Sequence, residues 1–327
     1  MRAVLCHRWG GPGDLIQSEV ETPEPGPGEV RIAVHAAGLN FADTLMIAGK
    51  YQEKPPFPFA PGLEAAGVVE ALGPGVEGPA PGTRVLALTD CGAYAEAAIA
   101  RASDVFPIPE RMDFVTAAGF PITYGTAHGA LIWRGHLQSG EVLLVHGAGG
   151  GVGLAAVEVG KVLGAQVIAT ARGEVKLMLA KDHGADHIID TAEEDIRERV
   201  KALTQGRGAD VVFDPIGGEV FESSLRATAW AGRLIVIGFA AGTVPQIPAN
   251  ILLVKNLSAV GLYWGGYRTH APQLLRKQFG ELFKWFEDGM IDPHVSHVLD
   301  LARAAEALEL LVSRKATGKV VLTTGRG

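Results

Sequence analysis

Cysteine is scarce in this chain: two in 327 residues, Cys6 and Cys91, neither in a C-x-x-C pair. That excludes a disulfide framework and a cysteine-rich zinc site, and it fits a reducing compartment. No run of about 18 uninterrupted apolar residues occurs, so no membrane-spanning helix is expected. The stretch from Met1 to Arg8 is too short and too polar to read as a signal peptide. These features predict a cytoplasmic protein with no membrane partner. Excess positive charge is also missing. Lys and Arg number 29 against 36 Asp and Glu, for a net charge of −7, so no nucleic-acid partner is expected. What the chain has in quantity is glycine and proline, 43 and 19 residues, spread through turns in a way that suits many short strands. Its length suffices for two domains.

Proline and glycine breaks crowd the first 110 or so residues. Pro23-Glu24-Pro25-Gly26-Pro27-Gly28, Pro55-Pro56-Phe57-Pro58, Gly73-Pro74-Gly75 and Pro79-Ala80-Pro81-Gly82 separate short β runs, which predicts a β-rich domain. Val30–His35 alternates as a half-buried strand should, and Ala65–Ala71 and Arg84–Leu88 are further strands. Helices are expected at Phe114–Gly119 and Thr123–Trp133. A strand–helix rhythm follows. Strands are expected near 142–146, 166–170, 186–189, 210–214, 233–238 and 257–262, with helices near 152–163, 174–183, 193–204 and 218–230. Such alternation predicts a doubly wound parallel sheet with helices on both faces, an α/β fold of Rossmann type. Beyond Gly265 come a helix over Pro272–Asp288, another over Ala302–Val312 and a last strand Lys319–Thr323. This tail is too short for a domain of its own. The expected boundaries are 1–123 for the β-rich domain, with 265–327 returning to it, and 124–264 for the Rossmann domain.

The strongest local signal lies between two of those strands. Val142–His146 runs into Gly147-Ala148-Gly149-Gly150-Gly151-Val152-Gly153, then an apolar helix, then Gln166–Thr170. The order is βαβ, the unit that binds dinucleotides. Glycines let the backbone approach a pyrophosphate, and a helix start offers free N–H groups and a positive dipole end. The spacing is G-x-x-G-x-x-G over Gly147, Gly150 and Gly153. The competing reading is a tight βα turn with no ligand. NAD-binding units usually place an acid about 20 residues after the turn, for the ribose 2′-OH. Here the second strand ends Thr170-Ala171-Arg172, with Lys176 following. Arg172 and Lys176 suit a 2′-phosphate, which predicts NADPH. Glu174 opposes that reading unless it opens the next helix, where its charge suits the dipole. Arg172 also reads as a solvated surface charge. Other cofactor candidates sit at the carboxyl ends of strands: Thr191, Asp214, Gly238 with Phe239 and Ala240, and Trp264. Phe239 and Trp264 read equally well as core aromatics.

Several further segments carry a resemblance. They are Gly10-Gly11-Pro12, Gly38-Leu39-Asn40-Phe41-Ala42-Asp43, Pro61-Gly62-Leu63-Glu64-Ala65-Ala66-Gly67, Thr123-Tyr124-Gly125-Thr126-Ala127 and Ala316-Thr317-Gly318-Lys319-Val320-Val321-Leu322. With the glycine turn they cover nearly the whole chain. Together they resemble the zinc-independent quinone oxidoreductases, the zeta-crystallin-like branch of the medium-chain dehydrogenase/reductase superfamily. The resemblance implies a GroES-like catalytic domain split by an inserted Rossmann domain, with the cofactor in the cleft and assembly as a homodimer or homotetramer. It also implies that Thr123 approaches the nicotinamide, that the backbone through Ala241 holds the carboxamide, and that Lys319 reaches the cofactor from the tail. A solvated lysine is the alternative for Lys319. Zinc-dependent relatives place a Cys and a His where this chain has Asn40 and Leu63, and they carry a four-Cys loop that this chain lacks. Glu64 alone cannot build a three-ligand catalytic site. His294-x-x-His297 lies in β-rich surroundings after Pro293, which argues against ligation, so no metal is expected.

Without a metal or an evident nucleophile, the chemistry expected is hydride transfer from NADPH to a quinone, with the protein supplying position, an apolar pocket and electrostatics. For the acceptor pocket the candidates are Asn40, Asp43 and Tyr51. Asn40 can hydrogen-bond a reacting oxygen or the ribose, Asp43 can orient Asn40 or Tyr51, and the Tyr51 phenol can donate to a developing oxyanion. Each has a plainer reading. Asn40 and Asp43 are good caps for a helix starting near Phe41, and Tyr51 reads as a surface aromatic. Two other functions stay open: an enone or enoyl-thioester reductase on the same scaffold, and a non-catalytic NADPH-binding protein with a structural or RNA-associated role. The acidic balance counts against RNA.

Overall fold

A computed structural model describes residues 1–326 of the 327. The chain divides into two compact units, Met1–Ile122 with Pro293–Gly327, and Thr123–Asp292. The expected return of the tail at 265 therefore comes later. Residues 265–292 stay with the second unit because the helix Pro272–Glu287 is tied there by polar contacts. Gln278 Nε2 donates to Gly125 O at 2.9 Å, and Gln278 Oε1 accepts from Trp264 Nε1 at 3.0 Å. The amphipathic spacing of this helix was legible in the sequence, but the partner that its apolar side would meet was not.

The second unit is built on six parallel strands. In spatial order they are His187–Asp190, Gln166–Ala171, Val142–His146, Ala209–Asp214, Thr228–Val236 and Ser258–Gly261. Strand order reverses at Val142–His146, which lies between the second strand and the fourth. An open α/β sheet binds its ligand at the carboxyl ends of the strands beside such a switch point. Every residue of Val142–His146 is buried, as expected of a central parallel strand covered on both faces. The helices Gly151–Val162, Glu174–Asp182, Ile196–Leu203 and Gly218–Ala227 fall where the rhythm of the sequence put them. Two features depart from expectation. The helix expected over Thr123–Trp133 begins at Pro121, is α-helical to His128, and continues as a π-helical turn over Gly129–Arg134. A short helix, Ala249–Lys255, was not anticipated, because its exposed Leu253 and Val254 break the helical pattern of buried apolar residues.

The first unit carries a seven-stranded sheet in the order Val295–Asp300, Lys319–Thr323, Glu29–Gly38, Glu64–Leu72, Arg84–Leu88 and Val105–Pro107, with Ala97–Arg101 also paired to Glu29–Gly38. The long strand Glu29–Gly38 is the hub. It pairs antiparallel with Glu64–Leu72, with Ala97–Arg101 and with the tail strand Lys319–Thr323. Apolar side chains from the hub strand, the helices Phe41–Ile47 and Ala304–Val312 and the tail form one core with Tyr94. Its members include Val34, Leu39, Met46, Leu308 and Leu322. Among the described residues no helix is long and apolar enough to cross a membrane.

Candidate active site

In the second unit, the turn after Val142–His146 has the form a dinucleotide needs. Gly147 sits at φ +61°, which favours glycine, and Gly150 N donates back to Gly147 O at 2.9 Å. A Cβ on Gly153 would lie 2.2 Å from Gly147 O, so the turn closes onto the helix only with glycine there. Gly150 caps the twelve-residue helix Gly151–Val162, with Gly151 and Val152 as its first two residues. The free N–H groups of that helix start have the geometry and dipole suited to an anionic group such as a pyrophosphate. Gly149 lies against the aliphatic stem of Lys176, since a Cβ there would come within 2.6 Å of Lys176 Cβ.

Arg172 follows the strand Gln166–Ala171 and is exposed, with no side-chain partner among the described residues. Glu174 opens the helix Glu174–Asp182, as its plainer reading required. The acid nearest in sequence on the next strand, Asp190, is already occupied. It accepts from Gly173 N at 3.2 Å and from Ala192 N at 2.9 Å. The charges at this strand end thus fit a phosphorylated ribose, and the glycine turn fits the pyrophosphate. Thr191 follows His187–Asp190 directly, and its N–H donates to Ala171 O at 3.0 Å.

The loop after Thr228–Val236 lies along the loop after Ala209–Asp214. Gly238 N donates to Asp214 O, Ala240 N to Pro215 O at 3.1 Å and Ala241 N to Ile216 O at 2.9 Å. Those three N–H groups are used internally, and Phe239 O accepts from Gly242 N at 2.8 Å. Phe239 is exposed on this loop. Thr123 is buried near the start of the helix Pro121–His128. Trp264 has the packing of a core aromatic: it is 6% exposed, packs on Gly125 and Phe279, and spends its N–H on Gln278.

Two buried polar groupings beside this cradle leave no local signature in the sequence. His146 is fully buried, with Nδ1 at 2.8 Å from Thr170 Oγ1 and Nε2 at 2.6 Å from Ser224 Oγ, and burial pushes its pKa down. Glu158, on the glycine-turn helix, accepts from the Tyr124 hydroxyl, from Asp292 N at 3.1 Å and from His183 Nδ1 at 2.6 Å. The Glu158 hydrogen bond raises the His183 pKa, while burial pushes Tyr124 up.

In the first unit, the structure brings Asn40 and Asp43 into one buried polar cluster with Glu64, Tyr94 and Lys319. The register of the sheet explains the meeting. Val321 pairs with Gly38, and Leu39 N donates to Val320 O at 3.0 Å, which sets Lys319 beside Asn40. Ala65 pairs with Ala37, which brings Glu64 alongside Gly38. A Cβ on Gly38 would lie 2.5 Å from Glu64 Oε1, so glycine is needed for the carboxylate to lie over the hub strand. Glu64 Oε1 accepts from Asn40 Nδ2 at 2.8 Å and from Lys319 Nζ at 2.6 Å, and Oε2 accepts from Ile122 N at 2.9 Å. Lys319 also donates to Asn40 Oδ1 at 3.0 Å and to Leu39 O. Its three N–H bonds are thereby all used within the cluster. Lys319 is thus paired with Glu64 and buried, which excludes the solvated-lysine alternative.

The capping readings separate in the same place. Asn40 is the residue before the helix Phe41–Ile47, but its carboxamide is turned to Glu64 and Lys319. The cap is Asp43, whose Oδ2 accepts Asn40 N at 2.7 Å. Oδ2 also accepts the Tyr94 hydroxyl at 2.8 Å, while Oδ1 is buried without a partner. Burial pushes the Asp43 carboxyl up to about 7, against the pull of the Asn40 N–H, the Tyr94 hydroxyl and the Lys319 charge. Tyr94 is pushed well above its ordinary value by burial and by Asp43. Tyr51 lies in the loop after the helix, half-buried, packed on the apolar cluster that contains Leu39 and Met46. Leu63 packs on the same cluster. His294 and His297 do not converge. His294 meets Thr317 Oγ1 at 3.3 Å, and His297, on the strand Val295–Asp300, meets Ser296 Oγ at 2.9 Å. Among the described residues no group of three or more His, Cys, Asp or Glu could hold a metal ion.

Two family models match the chain: a zinc-binding dehydrogenase model over residues 151–284 and an alcohol dehydrogenase GroES-like model over 26–110. A quinone oxidoreductase-like protein 2 homolog from Nematostella vectensis is 43% identical over 99% of this chain and 89% of its own length. The structure of Escherichia coli quinone oxidoreductase complexed with NADPH superposes with a TM-score of 0.93 at 32% identity, covering 99% of this chain and 100% of that one. A 2-haloacrylate reductase superposes at 0.87, also 32% identical, over 99% and 100% of the two chains. The α/β architecture, with its Rossmann-type sheet and GroES-like β domain, and this likeness over nearly the full length lead to one conclusion: the chain belongs to the quinone oxidoreductase branch of the medium-chain dehydrogenase/reductase superfamily.

Proposed function

We propose that the protein is an NADPH-dependent reductase that delivers hydride to a quinone without a metal. NADPH supplies the hydride when bound. The glycine turn and the helix start at Gly151 hold its pyrophosphate, and Arg172 with Lys176 holds its 2′-phosphate. The observation that carries the acceptor chemistry is the state of Asn40. Its carboxamide oxygen is tied to Lys319 and one N–H to Glu64, and the second N–H has no partner among the described residues. That N–H is an oriented donor on a residue that is 8% exposed, and an oriented donor is what a developing oxyanion on the acceptor requires. Asn40 occupies the position at which zinc-dependent relatives have a metal-binding Cys, so the donor takes the polarising place of a Lewis acid. Tyr51 is the second donor to the acceptor. Reduction adds hydride from NADPH and a proton from solvent, giving hydroquinone and NADP⁺. No strong general acid is needed, because reduced quinone oxygens take protons from water.

Support for quinone over other acceptors comes from the names of the Nematostella and Escherichia coli relatives. The likeness to 2-haloacrylate reductase favours a second reading, hydride delivery to an activated C=C bond. The test is NADPH consumption against a panel of quinones, enones and enoyl thioesters, with wild-type protein and Asn40→Ala. The expectation is turnover fastest on quinones and reduced in the variant by about tenfold or more, while NADPH affinity falls less. The loss should stay below the roughly 2.7–4 kcal/mol seen for a dedicated oxyanion donor, because a quinone spreads charge over two oxygens. Full turnover by Asn40→Ala on every acceptor would return Asn40 to a structural role, and enones as the best substrates would favour the second reading.

A further inference from the structure

Lys319 is the one lysine in the buried polar cluster, and all of its polar contacts lie there. It is 6% exposed, and the Glu64 side chain that it pairs with is wholly buried. A buried ion pair is a poor source of stability, because desolvation of both ions offsets most of their attraction. The arrangement is nevertheless closely built. The stem of Lys319 lies against Gly119, where a Cβ would sit 3.3 Å from Lys319 Cβ and Cγ, and Gly38 leaves room for the Glu64 carboxylate. The ammonium meets three oxygens at once: Leu39 O, Asn40 Oδ1 and Glu64 Oε1.

We propose that Lys319 is a positioning residue for the acceptor site: its ammonium, countered by Glu64, fixes and polarises the Asn40 carboxamide so that the uncommitted N–H of Nδ2 serves as the donor. This rests on the reading of Asn40 given above. The argument is electrostatic and geometric. An amide with both ends free can turn over, exchanging its oxygen for its NH2, and a turned Asn40 would present an acceptor where a donor is needed. Lys319 has no lone pair to give, so it accepts only the oxygen end. Glu64 Oε1 has no proton to give as a carboxylate, so it accepts only the nitrogen end. The two partners therefore select one orientation twice over. A cation on the amide oxygen also draws electron density from the nitrogen and strengthens the remaining N–H as a donor.

The test compares Lys319→Met, the paired variant Glu64→Gln with Lys319→Met, and each of these with Asn40→Ala added. Lys319→Met alone leaves a buried carboxylate unpaired and can fail to fold. The paired variant removes both charges and keeps side chains of similar volume, and tight NADPH binding checks its fold. The expectation for the paired variant is a kcat on the preferred acceptor lower by about tenfold, with the NADPH dissociation constant within about twofold of wild type. Adding Asn40→Ala to it should change kcat by less than about twofold, because the donor is already misaligned. A purely structural ion pair predicts wild-type kcat in the paired variant and the full Asn40→Ala loss on top of it, and that result overturns the proposal. Asn40→Ala with full turnover in the otherwise unchanged protein removes the reading beneath it, and the proposal with it. A paired variant that loses turnover while Asn40→Ala in the unchanged protein also loses it, without the two adding, supports both.

Discussion

Replacing Asp43 with asparagine isolates one charge in the buried cluster of the first unit. Asp43 is completely buried, its Oδ1 has no donor facing it, and its pKa is raised from the ordinary 3.8 to about 7. Between those two values the folded protein holds a proton that the unfolded chain releases. Stability should therefore fall as pH rises across that window, by at most about 1.4 kcal/mol per pH unit and by about 4 kcal/mol in total. Below the window both states are protonated and the group contributes no slope. Above it the full penalty for an ionised, half-satisfied carboxylate is present. Asp43→Asn keeps an oxygen to accept Asn40 N–H and the Tyr94 hydroxyl, but it puts NH2 where Oδ1 had no partner. That unmet donor costs about 1–3 kcal/mol at every pH. The variant should thus be less stable than wild type near about pH 3, below the window, and should catch or overtake it near about pH 8, the difference between the two shifting by about 4 kcal/mol. Chemical denaturation of both proteins at several pH values reads this directly. Infrared difference spectra should show the C=O stretch of a protonated carboxylic acid in wild type and not in the variant below neutral pH. A stability difference that stays constant to within about 1 kcal/mol across the range would mean that Asp43 is ionised throughout, and the argument from burial would be refuted.

Other outcomes follow from the same structure. Arg172→Glu should reverse or abolish preference for NADPH over NADH, a loss of about 1.5–3 kcal/mol in NADPH binding, since one charged hydrogen bond goes and a like charge faces the phosphate. Equal affinity of the unmodified protein for both cofactors would contradict the reading of Arg172. Prolonged chelation should leave turnover unchanged, because Asn40 and Leu63 offer no metal-binding pair; activity lost on chelation and restored by zinc would contradict it. His183→Gln should destabilise the second unit most at acidic pH. The His183 pKa is raised by Glu158, so its contribution is complete below the unfolded-state value and fades as pH rises through the folded one. A loss that grows toward alkaline pH would refute that assignment.

The second unit was legible because its signals are local. A glycine turn between two apolar runs, and strands alternating with helices, can be read within windows of a few dozen residues, and the strand and helix positions agree with the structure to within a few residues. Arg172 could be singled out because its place at a strand end follows from the rhythm alone. The polar cluster of the first unit was legible only in part. Asn40 and Asp43 stood out by position, and the capping alternative named for both is what Asp43 does. Tyr94 and the pairing of Glu64 with Lys319 span separations of 51 and 255 residues, which no local pattern reports. The one available hint was a charged residue at the head of each of two apolar strands, Glu64 in Glu64–Leu72 and Lys319 in Lys319–Thr323. Charges in such places are almost never buried unless paired, so two of opposite sign invite the question of whether they meet. A lysine near a dinucleotide site has an obvious task and a lysine inside a β core does not, so the sequence alone points Lys319 to the cofactor or to solvent before it points to Glu64. Trp264 shows the converse limit: large aromatics are buried often enough that a strand end alone does not distinguish a ligand contact from packing.

The tail explains why the cluster sits where it does. The strand Lys319–Thr323 pairs with Glu29–Gly38 in one register, and alternate residues of a strand face opposite sides of the sheet. A slip by one residue would send Lys319 to the other face and bring Val320 toward Glu64. The apolar residues Val320, Val321 and Leu322 are buried in succession and would tolerate such a slip better than the ion pair does. Leaving Glu64 buried without its cation would cost about 3–5 kcal/mol, so the pair penalises the wrong register strongly even though it adds little to the right one. The penalty falls at the residue next to Asn40, whose amide needs the same two partners. A single constraint therefore sets both the last strand of the sheet and the orientation of the Asn40 carboxamide, which accounts for a charged pair in a position where two apolar side chains would pack at least as well.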